Sequence, residues 1–304
     1  MTRLRRIVPE AALGQVLAGL CSDRAVSFRV NTLRVTREPV LERLRSAGLD
    51  WAPVDWFSDA GVLEPGRLAE LQAALPHAVS EIFVQGLSSM TAPLALAPQP
   101  GERVLDMCAA PGGKSTLLAA LMGGPVDPGR LHANDSSRSR LYKLRAVLEQ
   151  QGAHAVTTSA RQGQSFGRTH AGVFDAVLVD APCSAEARLH PESQDRWTAR
   201  RIPRLAGLQT RLLESAVRAT RPGGRIVYAT CTFAPEENEA VVDRVLERCE
   251  GTLSLEELEL PLPPSLPGLT AWGRKVFRPE LCRARRLIPA PGVEGFFLAL
   301  LRRA

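Results

Sequence analysis

The sequence predicts an α/β fold, a doubly wound and mostly parallel sheet with helices on both faces, preceded by a small α+β module over residues 1–80. Three observations predict it. From about residue 100, short apolar strands alternate with helical stretches in the order of βαβ units. Runs such as Ala176-Val177-Leu178-Val179 lack polar alternation, so both of their faces are covered. Before residue 100 the elements follow no such repeat, which separates a first unit (1–80) from a second (81–304).

In the first unit, residues 26–35 read as a strand, 38–47 as a short helix presenting Val40, Leu41 and Leu44, and 51–57 as another strand. The strand from Phe28 to Arg34 mixes an aromatic with Arg29 and Arg34. That composition suits an RNA-binding face, and equally a solvated sheet edge. In the second unit the strands are 103–107, 130–134, 156–159, 173–180, 225–230 and 295–301, and the helices 114–121, 137–150, 203–220 and 236–248. The Leu- and Pro-rich stretch 258–267 reads as an ordered excursion, and no internal repeat is present.

Charge and cysteine usage narrow the class. The chain of 304 residues has 38 Lys and Arg against 32 Asp and Glu, a net charge of +6 that favours a polyanionic partner without demanding one. Nearly all of that charge is arginine, with lysine only at Lys114, Lys143 and Lys275. The six cysteines show neither CxxC nor Cys/His zinc spacing, so no metal centre is expected and a reducing cytoplasm is the simplest compartment. No apolar run reaches membrane-spanning length, and the N-terminal stretch has no signal-type core.

A parallel sheet presents ligands at the carboxyl ends of its strands. Those ends hold Asp106, the loop Cys108-Ala109-Ala110-Pro111-Gly112-Gly113 running into Lys114 and Ser115, then Asp135, then Asp180-Ala181-Pro182-Cys183, and finally Cys231. A glycine-rich loop opening a helix suits a ligand with anionic groups, and Gly112 is expected to let the backbone approach it closely. Three ligands compete. A dinucleotide wants Gly-x-Gly-x-x-Gly, which is absent; a nucleoside triphosphate wants Gly-x-x-x-x-Gly-Lys-Ser, here spoiled by Cys108 in the first glycine's place. S-adenosylmethionine fits better, its carboxylate near the helix N-terminus and its ribose on Asp135, although Asp135 could equally cap the helix that follows.

The strings Val104-Leu105-Asp106-Met107-Cys108-Ala109-Ala110-Pro111-Gly112-Gly113-Lys114, Asp180-Ala181-Pro182-Cys183-Ser184 and Tyr228-Ala229-Thr230-Cys231-Thr232 resemble, in order and spacing, those of the Sun-type (RsmB/NSUN) RNA cytosine-5 methyltransferases. The resemblance covers residues 80–301 strongly. Over residues 20–60 it is weaker and rests on Arg29-Val30-Asn31-Thr32-Leu33. It implies a Rossmann-like, S-adenosylmethionine-dependent methyltransferase with a seven-stranded sheet, an RNA substrate, and residues 81–304 as the catalytic domain. By the same resemblance Cys231 is the nucleophile that adds to carbon 6 of cytosine, and Cys183 assists release. Asp180 hydrogen-bonds the N3/N4 edge of the base, and Lys114 reaches the base or a nearby phosphate. Cofactor contacts fall to residues 108–114, Asp135 and Asp180. Cys108 is expected to line the loop, and Cys21, Cys249 and Cys282 to be structural.

The chain departs from the family pattern at two places. Ser184-Ala185-Glu186-Ala187 replaces the usual Ser-Gly-x-Gly, stiffening that turn, and Ser159-Ala160-Arg161 offers no acid for the adenine. Between Arg188 and Trp197, the residues Arg188, Arg196 and Trp197 suit RNA backbone and base stacking, or a solvated loop. No separate carboxyl-terminal RNA-binding domain is read after the last strand, so substrate choice falls to the first module, the loops or a partner protein. Ribosomal RNA is the first expectation and transfer RNA the second. A nucleotide triphosphatase and a non-catalytic RNA-binding assembly factor remain as alternatives.

Overall fold

The computed structural model describes residues 3–75, 77–124, 127–188 and 197–304. Two sheets organise them. The first joins β1 (Val26–Val30), β2 (Ala52–Pro53), β3 (Ala60–Leu63) and β4 (Ile82–Val84) in the order β2-β3-β1-β4, antiparallel throughout. Its own core contains Phe28, Val30, Leu63 and Ile82, packed on Val40 and Leu44 of the helix Arg37–Ser46. The unit therefore runs to Val84, past the boundary read at residue 80. The strand expected over 51–57 shrinks to β2, because Pro53 has no N–H to pair and Phe57 N closes a turn on Val54 O.

The second sheet is the large one. It contains β5 (Val104–Asp106), β6 (Leu131–Asn134), β7 (Thr157–Ser159), β8 (Phe174–Asp180) and β9 (Thr220–Thr230), paired in parallel in the order β9-β8-β5-β6-β7. Beyond β9 the pairing turns antiparallel through β10 (Leu253–Glu256), β11 (Ser265–Pro267), β14 (Arg285–Leu287) and β15 (Phe296–Arg303). The short β12 (Ala271–Trp272) and β13 (Lys275–Val276) form a separate ribbon. The fold class is the predicted one, but the sheet has nine strands among the described residues where seven were expected. The excess comes from short antiparallel strands at the β15 edge, including β11 inside the stretch read as an excursion.

Successive strand residues point to opposite faces, and two cores result. Val104, Ala176, Leu178, Val227 and Ala229 meet the helices Leu87–Leu96, Gly113–Leu121 and Arg138–Gln151. Leu105, Val177, Val179, Ile226 and Tyr228 meet the helices Ile202–Ala219 and Glu239–Arg248. This double cover explains why the strands read as continuous apolar runs.

Although Arg34 is exposed, Arg29 is not the surface arginine that the reading of its strand as an RNA-binding or solvated face requires. Its side chain is fully buried and bridges the two units. Nε donates to Gln85 Oε1 at 3.0 Å, and one terminal nitrogen donates to Thr116 Oγ1 at 2.6 Å and Gly113 O at 3.2 Å. The guanidinium also lies over the Phe83 ring at 5.1 Å. Burial lowers its pKa to about 10, so it stays charged at neutral pH. The N-terminal module thus grips the first turn of the helix that follows the glycine-rich loop. Arg29→Ala is expected to cost about 3 kcal/mol or more, from buried partners left unpaired, read as a lower urea midpoint. An unchanged midpoint with weakened RNA binding would restore the surface reading.

Candidate active site

The site is built on strand ends in sheet order. Asp106 closes β5 and is fully buried; Ser115 Oγ donates to its Oδ2 at 2.7 Å, while Oδ1 has no hydrogen-bond partner. Burial, reinforced by the charge of Asp180, pushes its pKa up to about 7. The loop after it is pinned from the β6 side. Asp135 Oδ2 accepts from Ala110 N at 3.3 Å, and Arg140 donates to Ala110 O at 2.6 Å. Asp135 Oδ1 accepts from Ser137 N at 3.0 Å. Asp135 therefore orders the entry to the next helix, whose N-cap is Ser137, and lines the cleft.

The glycines of the loop correct an expectation. Gly112 has φ of 122°, and a Cβ there would meet Val147 Cγ1 at 3.0 Å and Leu144 Cδ1 at 3.1 Å. A Cβ on Gly113 would lie 2.7 Å from the Phe83 ring. Packing behind the loop by the helix Arg138–Gln151 accounts for Gly112, and Phe83 of β4 fills the space a Gly113 side chain would need.

In front of the loop lies a cleft of about 680 Å³. Along the sheet it passes Cys231 after β9, Cys183 and Asp180 at the end of β8, residues Cys108 to Pro111 with Gly113 and Lys114, Asp135, and Gln162 to Gln164 after β7. Every site residue read from the sequence except Gly112 lines it. Lys114 Nζ sits 2.7 Å from Asp180 Oδ2 and 5.7 Å from the Phe296 ring centre. Burial and the nearby carboxylates raise the Cys108 thiol, which marks it as lining and not as a nucleophile. Cys21 and Cys282 are exposed, so they do not have the packing role expected of them; Cys249 is half-buried. Where an acid for an adenine was missed, Asn134 holds Arg161 N and Arg161 O, and Gln162 and Gln164 face the cleft.

The two remaining cysteines form one unit, with Sγ atoms 3.3 Å apart. The hydrogen bond from Cys183 lowers the pKa of Cys231, helped by the positive charge of Arg188 and Lys114 and opposed by burial and Asp180. The Cys183 pKa is raised, first by that same hydrogen bond and then by burial. Both directions favour the anion on Cys231 over Cys183.

Two residues that the sequence reading did not single out hold this geometry. Glu237, fully buried, accepts from Ser184 N at 3.0 Å, from Ser184 Oγ, and from Gln209 Nε2 at 3.0 Å. It fixes the turn behind Cys183. Asn238, equally buried, accepts from Thr230 Oγ1 and donates to Thr232 O at 2.9 Å, bracketing Cys231. The helix predicted from residue 236 begins at Glu239, because these two side chains turn inward before it. The only signal was the string Pro235-Glu236-Glu237-Asn238-Glu239, which reads locally as acids favouring a helix N-terminus. Nearby, Ala185 takes φ of 57°, so the departing turn keeps a glycine-like conformation with an alanine. Trp197 Nε1 donates to Ser184 O at 3.1 Å, and Arg196 lies outside the described residues.

Residues 93–302 match the family described as 16S rRNA methyltransferase RsmB/F. The chain is similar to the 28S rRNA (cytosine-C(5))-methyltransferase of Mus musculus, 32% identical over 100% of this chain and 38% of that relative. It is similar to the ribosomal RNA small subunit methyltransferase F of Serratia proteamaculans, 33% identical over 98% of this chain and 61% of the relative. With the tRNA (cytosine(49)-C(5))-methyltransferase of Pyrococcus abyssi it shares 32% identity over 91% of this chain and 88% of the relative. The chain thus spans less than two thirds of these rRNA relatives. A methyltransferase homolog from Pyrococcus horikoshii superposes with a TM-score of 0.82 at 32% identity, over 98% of this chain and 92% of that one.

A short bifunctional thiol reagent should bridge Cys183 and Cys231 in the parent protein, measured by mass spectrometry of the digest. Glu237→Ala leaves Ser184 N without an acceptor and strips one partner each from Ser184 Oγ and Gln209 Nε2, and should lower the bridged yield several-fold. Glu237→Gln, which keeps an acceptor oxygen and so guards against simple misfolding, should retain most of it. Equal yields in all three proteins would remove Glu237 from this role.

Proposed function

Because the chain belongs to the 16S rRNA methyltransferase RsmB/F family, we propose that it methylates carbon 5 of a cytosine in RNA, with ribosomal RNA as first substrate class and transfer RNA as second. The observation that carries this is the pair of thiols with sulfurs 3.3 Å apart, set beside Asp180 and Lys114 at the carboxyl ends of parallel strands. When bound, S-adenosylmethionine supplies an electrophilic methyl group. The cleft suits it: Asp135, which lines it, has carboxylate lone pairs left for ribose hydroxyls. Residues Cys108 to Pro111, with Gly113 and Lys114, would form the floor beneath it.

Cytosine carbon 5 is a poor nucleophile until a thiolate adds to carbon 6. The Cys231 thiolate makes that bond, and the negative charge that moves toward N3 meets the Lys114–Asp180 pair. Bond formation consumes the anion that had kept Cys183 protonated. Its thiol can then release its proton to solvent, and the Cys183 thiolate takes the carbon 5 proton after methylation, becoming a thiol again while Cys231 leaves as the thiolate. Among the described residues no helix is long and apolar enough to cross a membrane, and action in the cytoplasm is part of this proposal.

The test is methyl transfer from labelled S-adenosylmethionine to unmodified ribosomal and transfer RNA transcripts, with the labelled nucleotide mapped. Cys231→Ala should give neither product nor adduct. Cys183→Ala should add and methylate but stall, leaving a protein–RNA band that survives denaturation and disappears with nuclease. An adduct from Cys231→Ala, with none from Cys183→Ala, would reverse the two roles.

A further inference from the structure

A second cleft, of about 340 Å³, adjoins the first and shares with it Val84, Gln85, Gly86, Arg188 and Glu294. Its volume lies within the ~300–1,000 Å³ typical of small-ligand sites. The partition between the two clefts is ionic. Arg188 Nε lies 2.7 Å from Glu294 Oε2, Arg24 approaches Glu294 Oε1 at 3.6 Å, and Arg24 donates to Arg188 O at 2.9 Å. Two guanidinium groups around one carboxylate leave the partition with an excess positive charge, which suits a phosphodiester crossing it. Glu294 is anchored from behind, since Ser88 Oγ donates to its backbone carbonyl at 2.6 Å. The wall of the second cleft is partly apolar. Leu68 and Val84, two of the five large hydrophobics most exposed among the described residues, both line this cleft, and exposed Asp23 is its other carboxylate.

We propose that this second cleft takes the nucleotide next to the target cytosine, its base against Leu68 and Val84 and its phosphate at the Arg188–Glu294–Arg24 partition. The inference rests on the reading of the first cleft as the cytosine site. A base that reaches Cys231 must leave its stack, and single-stranded RNA is recognised through such splayed bases and their backbone. Arg188 and Val84 line both clefts, so a chain leaving the cytosine in this direction meets the charged partition and the start of the apolar wall together, with Leu68 beyond. Sequence preference at that one neighbour follows from the shape of this cleft, and the N-terminal unit supplies most of it.

The test uses a short oligoribonucleotide around the cytosine mapped by methyl transfer, with 5-fluorocytidine at the target and 4-thiouridine at either neighbour. Fluorine replaces the proton that release requires, so the adduct with Cys231 persists and fixes the register. On irradiation, one of the two neighbours is expected to cross-link within residues 20–27 or 289–294, located by mass spectrometry. An adduct whose neighbours both fail to cross-link there overturns the second cleft and leaves the first intact; no adduct at all overturns both. In parallel, Ala25→Trp fills the second cleft and should raise KM for RNA tenfold or more, with kcat and S-adenosylmethionine affinity unchanged. An unaltered KM would also count against the proposal.

Discussion

The arrangement depends on one constraint: two turns from different strands must be held so that their sulfurs sit 3.3 Å apart. Neither turn could keep that position alone. β8 and β9 are parallel neighbours, which brings the chain ends to the same edge but leaves their loops free. Glu237 and Asn238, adjacent in sequence, remove that freedom by clamping one turn each. Tyr228 in β9 closes the set by donating to Glu237 O at 2.6 Å. These are buried bonds in a low-dielectric interior, where leaving any one unmade costs more than making it gains. The hydrogen bond between the thiols follows from this spacing.

The N-terminal unit is a working part of the same site. Arg29 reaches across to Thr116 and Gly113, Phe83 packs where a Gly113 side chain would stand, and Asn31 donates to Gln151 O at 2.9 Å. The floor of the cleft is therefore supported from a unit that carries none of the reacting groups. A charge buried in that way is expensive unless its hydrogen bonds are made, which makes the contact between the units specific and not merely adhesive.

Much of this was legible in the chain. Apolar runs bounded by Gly and Pro marked β5, β6, β8 and β9, and chemistry placed at their ends announced Asp106, Asp135, Asp180, Cys183 and Cys231, because a parallel sheet aligns strand ends whatever the loops do. What local pattern could not reveal were side chains whose meaning depends on distant partners. Arg29 reads as a surface charge until Gln85 and Gly113, 56 and 84 residues later, are folded against it. Glu237 and Asn238 look like helix-entry residues, since nothing nearby says that they point inward. Gly112 seemed to make room for a ligand, but it makes room for Val147. β3 went unread because Ala60-Gly61-Val62-Leu63 is short and broken by a glycine, which Trp51 and Phe28 crowd too closely to allow a side chain.

The central claim is that the pair ionises at Cys231 with Cys183 as its donor. The direct measurement is thiolate absorbance near 240 nm against pH, taken as the difference between the parent and Cys231→Ala. The thiolate should be lost only as pH falls through a midpoint below that of an ordinary thiol, and Cys183→Ala, which removes the donor, should move that midpoint upward. A Cys231 midpoint at or above the ordinary thiol value, unmoved by Cys183→Ala, would contradict the account.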